Sequence, residues 1–269
     1  MLCQFTVKNF KSIRDEVTFD MQAAAISEHE DRIIIDKDEE KYLPVSAVYG
    51  PNGGGKSNVL AALHTLVAKV LRPLLATEDS EEKVLLQRKI IVEPFAFSKS
   101  KDEPTEFELF FRTTVSEYRY ILHVKRDIVL YESLDRVKLE TGRKSALFTR
   151  DENGIVLKGA FAKLKVSDEL SKTLTLLSYL GIAYKGNAVV KDVLSWFEYG
   201  IEFLNYGNPI QELKMAVSTS EDVKKLMLQM IQEMDLDIVD FRVEEKENER
   251  INIFTKHCVD DVETEINLF

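Results

Sequence analysis

The chain has 269 residues, of which 45% are hydrophobic and 30% are charged, and its formal net charge is −10 at pH 7. This composition can fill a packed core and argues against general disorder, and the acidic balance disfavours nucleic-acid binding through a broad basic surface. The first ten residues have neither the basic start nor the apolar block of a signal peptide, so we expect a cytoplasmic protein without a membrane anchor.

The first part of the chain has the pattern of strand, glycine-rich loop and helix. Gln4–Val7 alternates as a strand does, and the short apolar run Val45–Tyr49 predicts a buried strand that ends at Gly50. In Asn58–Arg72 the apolar residues recur at helical spacing, which predicts an amphipathic helix that Pro73 closes. Charged residues interrupt this apolar stretch, so we expect a buried helix and not a membrane span.

Between Glu106 and Leu157 the apolar residues recur with a period of two. Phe107, Leu109 and Phe111 alternate with polar or charged neighbours, and similar runs follow them. Turn-forming residues separate the runs. This pattern predicts an antiparallel meander.

The rest of the chain is predicted to be helical and then β-type again. The helix-like segments are Ser167–Leu180, Val189–Phe203 and Thr219–Met234. The β-type segments are Ile238–Val243, Arg250–Lys256 and Val262–Phe269. We therefore predict three parts: an N-terminal lobe with the glycine-rich loop and the meander (1–158), a helical insert or arm (159–236) and returning strands (237–269).

The strongest signal in the sequence is the octapeptide Gly50–Ser57. It fits the pattern G-x-x-x-x-G-K-[ST] at every fixed position, between a predicted strand and a predicted helix. Glycines let the backbone curl until its N–H groups point inward at a phosphate, and the helix start adds partial positive charge. Lys56 would reach the β- and γ-phosphate oxygens, and the Ser57 hydroxyl would coordinate Mg²⁺. The alternative, a turn that only joins strand to helix, does not need Lys-Ser at its end.

The loop together with Asn58 resembles the SMC, RecF and OLD branch of ABC-class ATPases, in which G-x-N-G-x-G-K-[ST]-N recurs. The opening run Phe5–Ile13 is similar to the first strand and basic turn of that branch. The resemblance implies that this turn approaches the nucleotide, which makes Lys11 a candidate phosphate contact; the alternative is a surface lysine. The expected nucleotide-binding residues, with Ser57 also as the metal ligand, are Asn52, Gly53, Gly54, Gly55, Lys56, Ser57, Asn58 and Lys11.

The order of elements is similar to that of single-chain bacterial AAA family ATPases of the abortive-infection, anti-phage type. Shared features are Pro94–Phe95, Pro104–Phe107 at the start of the meander and Ser195–Phe197 in the helical part. The resemblance implies an α/β fold, namely a P-loop NTPase head of the ABC type with a mixed sheet, a flanking antiparallel meander and a helical insert. It also implies ATP and Mg²⁺ as cofactors and the role of a nucleotide-driven switch, although nothing in the loop itself distinguishes ATP from GTP.

The chain also departs from this pattern. It contains no E-S-x-G-T-like signature and no run of four apolar residues followed by Asp-Glu, the Walker B pattern, and we identify no catalytic residue. We therefore expect the N-terminal portion of an ATPase, truncated or half of a split enzyme, that binds ATP but hydrolyses it poorly alone. A second copy in a homodimer, or a complementing C-terminal half, would supply the missing groups, and Val262–Phe269 would be an open edge that invites it. An effector protein is a further expected partner.

Two other functions stay open at this point. The first is a RecF-like DNA-repair ATPase: the acidic charge counts against it, although a local basic strip around Lys8, Lys11 and Arg14 could contact DNA. The second is a regulatory fragment that binds nucleotide without hydrolysing it.

Overall fold

The period-two segment forms the main sheet of the protein, because its alternating apolar side chains bury one face. Phe107, Leu109 and Phe111 are at most 1% exposed, and the strands that contain and follow them pair as consecutive antiparallel neighbours. The predicted antiparallel meander is therefore confirmed.

The computed structural model describes residues 1–26, 30–75, 90–97, 99–167, 170–203, 221–233, 238–245, 251–259 and 262–267. The strands up to residue 157 are β1 Leu2–Lys8, β2 Val17–Asp20, β3 Ile34–Ile35, β4 Lys41–Tyr42, β5 Thr105–Arg112, β6 Ser116–Lys125, β7 Ile128–Lys138, β8 Lys144–Asp151 and β9 Gly154–Leu157. Seven of them form one sheet in the order β2-β1-β5-β6-β7-β8-β9, and β3 pairs with β4 separately.

One predicted strand is not formed. Val45–Tyr49 pairs with no strand in the part of the chain that the structure describes, and Val45 and Tyr49 are 77% and 90% exposed. The run has the local preference for a strand, but a strand also needs a neighbour for its backbone N–H and C=O groups. The described strands all pair antiparallel, so they do not form the predicted mixed sheet, whereas the α/β class is confirmed.

Helix α1, Lys56–Leu75, begins two residues earlier than predicted and continues past Pro73, which lies inside it. It contacts β1 and the two helices described next, and the side chains it buries are Ala62, Leu63, Leu66, Val67, Lys69 and Val70. Among the described residues it is the one helix long and apolar enough to cross a membrane by length and composition. Its contacts within the fold are those of a core helix.

Two further helices pack on the sheet. Helix α2, Leu176–Ala183, begins later than predicted, because Thr175 caps its first turn. Helix α3, Ala188–Tyr199, begins at the Asn187 cap, one residue before the predicted start, and ends four residues earlier than predicted, where Gly200 is the C-cap. The Trp196 ring of α3 lies 4.6 Å from that of Phe111, measured between centroids. These helices therefore cover the sheet and do not form a projecting arm.

The chain divides into two compact units after Glu202, so the division does not coincide with the predicted boundaries at 159 and 237. No division occurs at residue 159, because α2 and α3 pack on the sheet of the first unit. The second unit contains helix α4, Glu221–Glu233, and strands β10 Ile238–Glu245, β11 Ile251–Val259 and β12 Val262–Asn267. These three strands form an antiparallel sheet in chain order, with β12 exposed along its described length.

Candidate functional site

The glycine-rich loop joins the unpaired segment before Gly50 to the first turn of α1. Gly53 and Gly55 have φ angles of +79° and +86°, a left-handed conformation that side chains other than glycine rarely adopt. Between them, the Gly54 N–H donates to the Pro51 carbonyl oxygen at 3.1 Å, which closes a tight turn. Residues 50–54 of the loop are exposed, and Gly55 and Lys56 are half-buried.

Lys56 is the first residue of α1, and its side chain folds back across the loop. Its Nζ donates to the Gly50 carbonyl oxygen at 2.6 Å and to the Pro51 carbonyl oxygen at 2.7 Å. A phosphate oxygen carries negative charge and therefore attracts an ammonium group more strongly than a neutral carbonyl oxygen does. An anionic ligand on the loop could therefore draw Lys56 from these carbonyls.

The N-terminus of a 20-residue helix faces the same loop. The Asn58 N–H donates to the Gly55 carbonyl oxygen at 2.9 Å, so the helical hydrogen bonds begin directly after the last loop glycine. The first N–H groups of a helix and its dipole favour an anion at this position. Loop, lysine and helix start together fit a polyphosphate.

The predicted metal ligand, Ser57, is exposed in the first turn of α1. Within the described ranges, no group of three or more His, Cys, Asp or Glu residues could hold a metal ion. Coordination of Mg²⁺ by Ser57, with nucleotide phosphate oxygens and water as the other ligands, stays a prediction.

Asn58 does not direct its side-chain amide into the loop. Its Nδ2 instead donates to the Ser12 hydroxyl oxygen at 2.7 Å. A Cβ built on Gly55 would lie 2.9 Å from that same oxygen. The structure thus places the turn after β1 against the loop, and Ser12 is a site residue that the loop motif could not reveal. The signal for it was the opening run Phe5–Ile13, which contains Ser12.

Lys11 lies in this same turn and is exposed. Its φ angle is +49°, its N–H donates to the Glu93 carbonyl oxygen at 2.9 Å, and its Nζ lies 5.5 Å from the centre of the Phe10 ring. The turn brings Lys11 next to Ser12, which touches the loop. A phosphate contact by Lys11 stays a prediction, as do the nucleotide contacts of Asn52 and the three consecutive glycines.

A protein-family model described as "AAA domain, putative AbiEii toxin, Type IV TA system" matches residues 45–190, which is more than half of the chain. The matched region contains the glycine-rich loop, α1, the meander and α2. No curated protein matches the chain.

Proposed function

The chain belongs to this AAA-domain family of the AbiEii type, and from that membership we propose that it binds Mg-ATP on the loop Gly50–Ser57 and acts as a nucleotide-driven switch in bacterial anti-phage defence. Membership shows a nucleotide-binding ATPase domain. The defence role, of the abortive-infection or toxin–antitoxin type, is the proposed extension. A cytoplasmic location is part of the same proposal.

The observation that carries this proposal is the position of Lys56 at the start of α1. Its ammonium group is held over the loop by the Gly50 and Pro51 carbonyl oxygens. On nucleotide binding, Lys56 would exchange these carbonyls for β- and γ-phosphate oxygens, and loop N–H groups would hold the β-phosphate. Ser57 would hold the Mg²⁺ ion, which neutralises charge on the phosphates.

We further propose that efficient hydrolysis requires additional polypeptide, in cis or from a second chain. The support is the exposed run before the loop: Val45, Val48 and Tyr49 are 77%, 45% and 90% exposed, although the run is apolar and of strand type. A neighbouring strand would cover these side chains and satisfy the backbone. A homodimer partner or a complementing ATPase half would fill this role, and an effector protein would receive the signal.

Calorimetry of Mg-ATP binding tests the site. Lys56→Ala should weaken binding by at least about tenfold, because a hydrogen bond to a charged group contributes about 1.5–3 kcal/mol. The matched control is Lys185→Ala, an exposed lysine beyond the end of α2, which should bind as the wild type does. Equal affinity of the wild type and Lys56→Ala would refute the assignment of the loop.

Phage plating tests the biological role separately. Cells that express the full-length natural protein should form fewer plaques than cells that express its Lys56→Ala variant at the same level. If the protein binds nucleotide but plaque numbers do not change across a broad phage panel, the defence role is refuted and the ATPase assignment is not.

A further inference from the structure

We propose that Asn9 is a positioning residue that holds the turn after β1 in the conformation in which Ser12 braces the phosphate loop. The proposal rests on the proposed nucleotide-binding function of that loop. It assigns a role to two residues, Asn9 and Ser12, that lie outside the loop and would not themselves contact phosphate.

Ser12 is the residue through which the turn acts. Its hydroxyl oxygen accepts a hydrogen bond from Asn58 Nδ2 at 2.7 Å, and it occupies the space next to Gly55, where a built Cβ would approach to 2.9 Å. It therefore touches both the last glycine of the loop and the first turn of α1. Lys56 lies between these two contacts, so the brace acts where the loop passes into the helix.

Asn9 fastens the turn from the other side. It is 1% exposed, and its Nδ2 lies 2.6, 3.1 and 3.1 Å from the carbonyl oxygens of Ser100, Glu103 and Pro104. Its Oδ1 accepts a hydrogen bond from the Phe95 N–H at 3.0 Å. The side chain thus uses both its donor and its acceptor ends on the segments before β5. Buried polar groups satisfied in this way specify one local conformation.

The backbone of the turn is also held in an unusual conformation. Asn9 and Lys11 have φ angles of +56° and +49°. Asparagine tolerates this left-handed region better than most residues. The Asn9 carbonyl oxygen accepts from the Thr105 hydroxyl at 2.6 Å, and the Lys11 N–H donates to the Glu93 carbonyl oxygen at 2.9 Å. These bonds determine where Ser12, the next residue, is presented.

The consequence is a loop that is partly ordered before nucleotide arrives. A loop that is already ordered binds its ligand more tightly, because no binding free energy is used to order it. Loss of the Asn9 contacts would free the turn, remove the brace and lower nucleotide affinity, even though every residue of the loop motif is intact.

Ser12→Ala is the first test, because it removes the brace with the smallest change in the fold. Mg-ATP affinity, measured by calorimetry, should fall about three- to tenfold, the value of one ordinary hydrogen bond. In an Asn58→Ala background the same substitution should have no further effect, because the two residues share a single bond. Independent, additive losses would overturn the brace.

Asn9→Gly is the second test, since it keeps the left-handed backbone and removes all four side-chain contacts. We expect a loss of affinity at least equal to that of Ser12→Ala. The matched control is Asn187→Ala: Asn187 Oδ1 accepts from Val189 and Val190 at the start of α3, so its loss should lower the melting temperature and leave affinity unchanged. If Asn187→Ala weakens nucleotide binding as much as Asn9→Gly does, the effect is general destabilisation and the positioning role is refuted.

The outcomes separate this inference from the proposed function. A wild-type chain that binds no nucleotide, or binds as its Lys56→Ala variant does, refutes both. If Lys56→Ala binds weakly and Ser12→Ala binds as tightly as the wild type, the positioning role alone is refuted. Unchanged binding by Ser12→Ala refutes the positioning role even if Asn9→Gly fails to fold.

Discussion

The guanidinium group of Arg112 donates to both carboxylate oxygens of Asp38, from Nη1 to Oδ1 at 2.7 Å and from Nη2 to Oδ2 at 2.8 Å. The same group donates to Asp36 and Glu117, and the Arg112 side chain is only 6% exposed. One cation thus ties the segment that contains Asp36 and Asp38 to strands β5 and β6.

Arg112→Gln should therefore strongly destabilise the fold, because three carboxylates lose their shared cation. We expect the free energy of unfolding, measured by urea denaturation, to fall by about 3–5 kcal/mol. Arg119→Gln is the matched control: Arg119 pairs with Glu108 on the same sheet but is 45% exposed, so its loss should cost less than about 1 kcal/mol. Equal losses in the two variants would contradict the structural role of Arg112.

Acid should destabilise the protein partly through Asp38. Hydrogen bonds from Arg112 lower the pKa of this carboxyl below its ordinary value. The folded pKa is thus below the unfolded pKa of about 4, so the stabilisation is present above that pH and is lost as pH falls through the folded pKa. The urea midpoint of the wild type should drop as pH decreases from about 5 to about 3. Asp38→Asn should show a shallower drop, and identical curves would exclude this contribution.

Ser57→Ala should affect only the magnesium-dependent part of nucleotide binding. The hydroxyl is expected to coordinate Mg²⁺, whereas the phosphates are held by Lys56 and by backbone N–H groups that the substitution leaves in place. ATP affinity measured with Mg²⁺ should fall towards the affinity measured in EDTA, and the EDTA value itself should not change. If Mg²⁺ makes no difference to the wild type, Ser57 has no role in metal binding.

ATP turnover by the 269-residue chain alone should be very slow. The phosphate loop is present, but the sequence contains no Asp-Glu pair after four apolar residues and no signature motif, and the run before the loop lacks a neighbouring strand in the described fold. Missing electrostatic groups commonly cost several orders of magnitude in phosphoryl transfer. A steady-state ATPase assay should give a rate far below about 1 per second.

The control for turnover is Lys56→Ala, which reports contaminating ATPases. A rate near about 1 per second that disappears in this variant would show that a catalytic carboxylate is present and was missed. Activity that rises when the complementing polypeptide is added, and only then, is the expected result.

The sequence by itself determined the features that depend on neighbouring residues in the chain. Alternation around Phe107 and Phe111 predicted the meander, because a strand turns successive side chains to opposite faces. The octapeptide Gly50–Ser57 predicted a curled loop before a helix, since glycine spacing and a helix start are both local properties. The resemblance drawn from that loop and the element order predicted the family that the match over residues 45–190 shows.

Only the tertiary structure decided the features that depend on residues far apart in the chain. Val45–Tyr49 has the local preference of a strand and still remains unpaired, because pairing depends on a neighbour. The fully buried Glu132 lies on a meander strand, and its carboxylate accepts from the N–H groups of Leu176 and Leu177 at the start of α2, which no alternation pattern indicates. Ser12 contacts Asn58, in the first turn of α1, across 46 positions in the sequence. Such contacts form because folding brings these groups together in space. Alternation and glycine spacing do not encode that proximity, and for the turn that contains Ser12 only the family resemblance of Phe5–Ile13 indicated it.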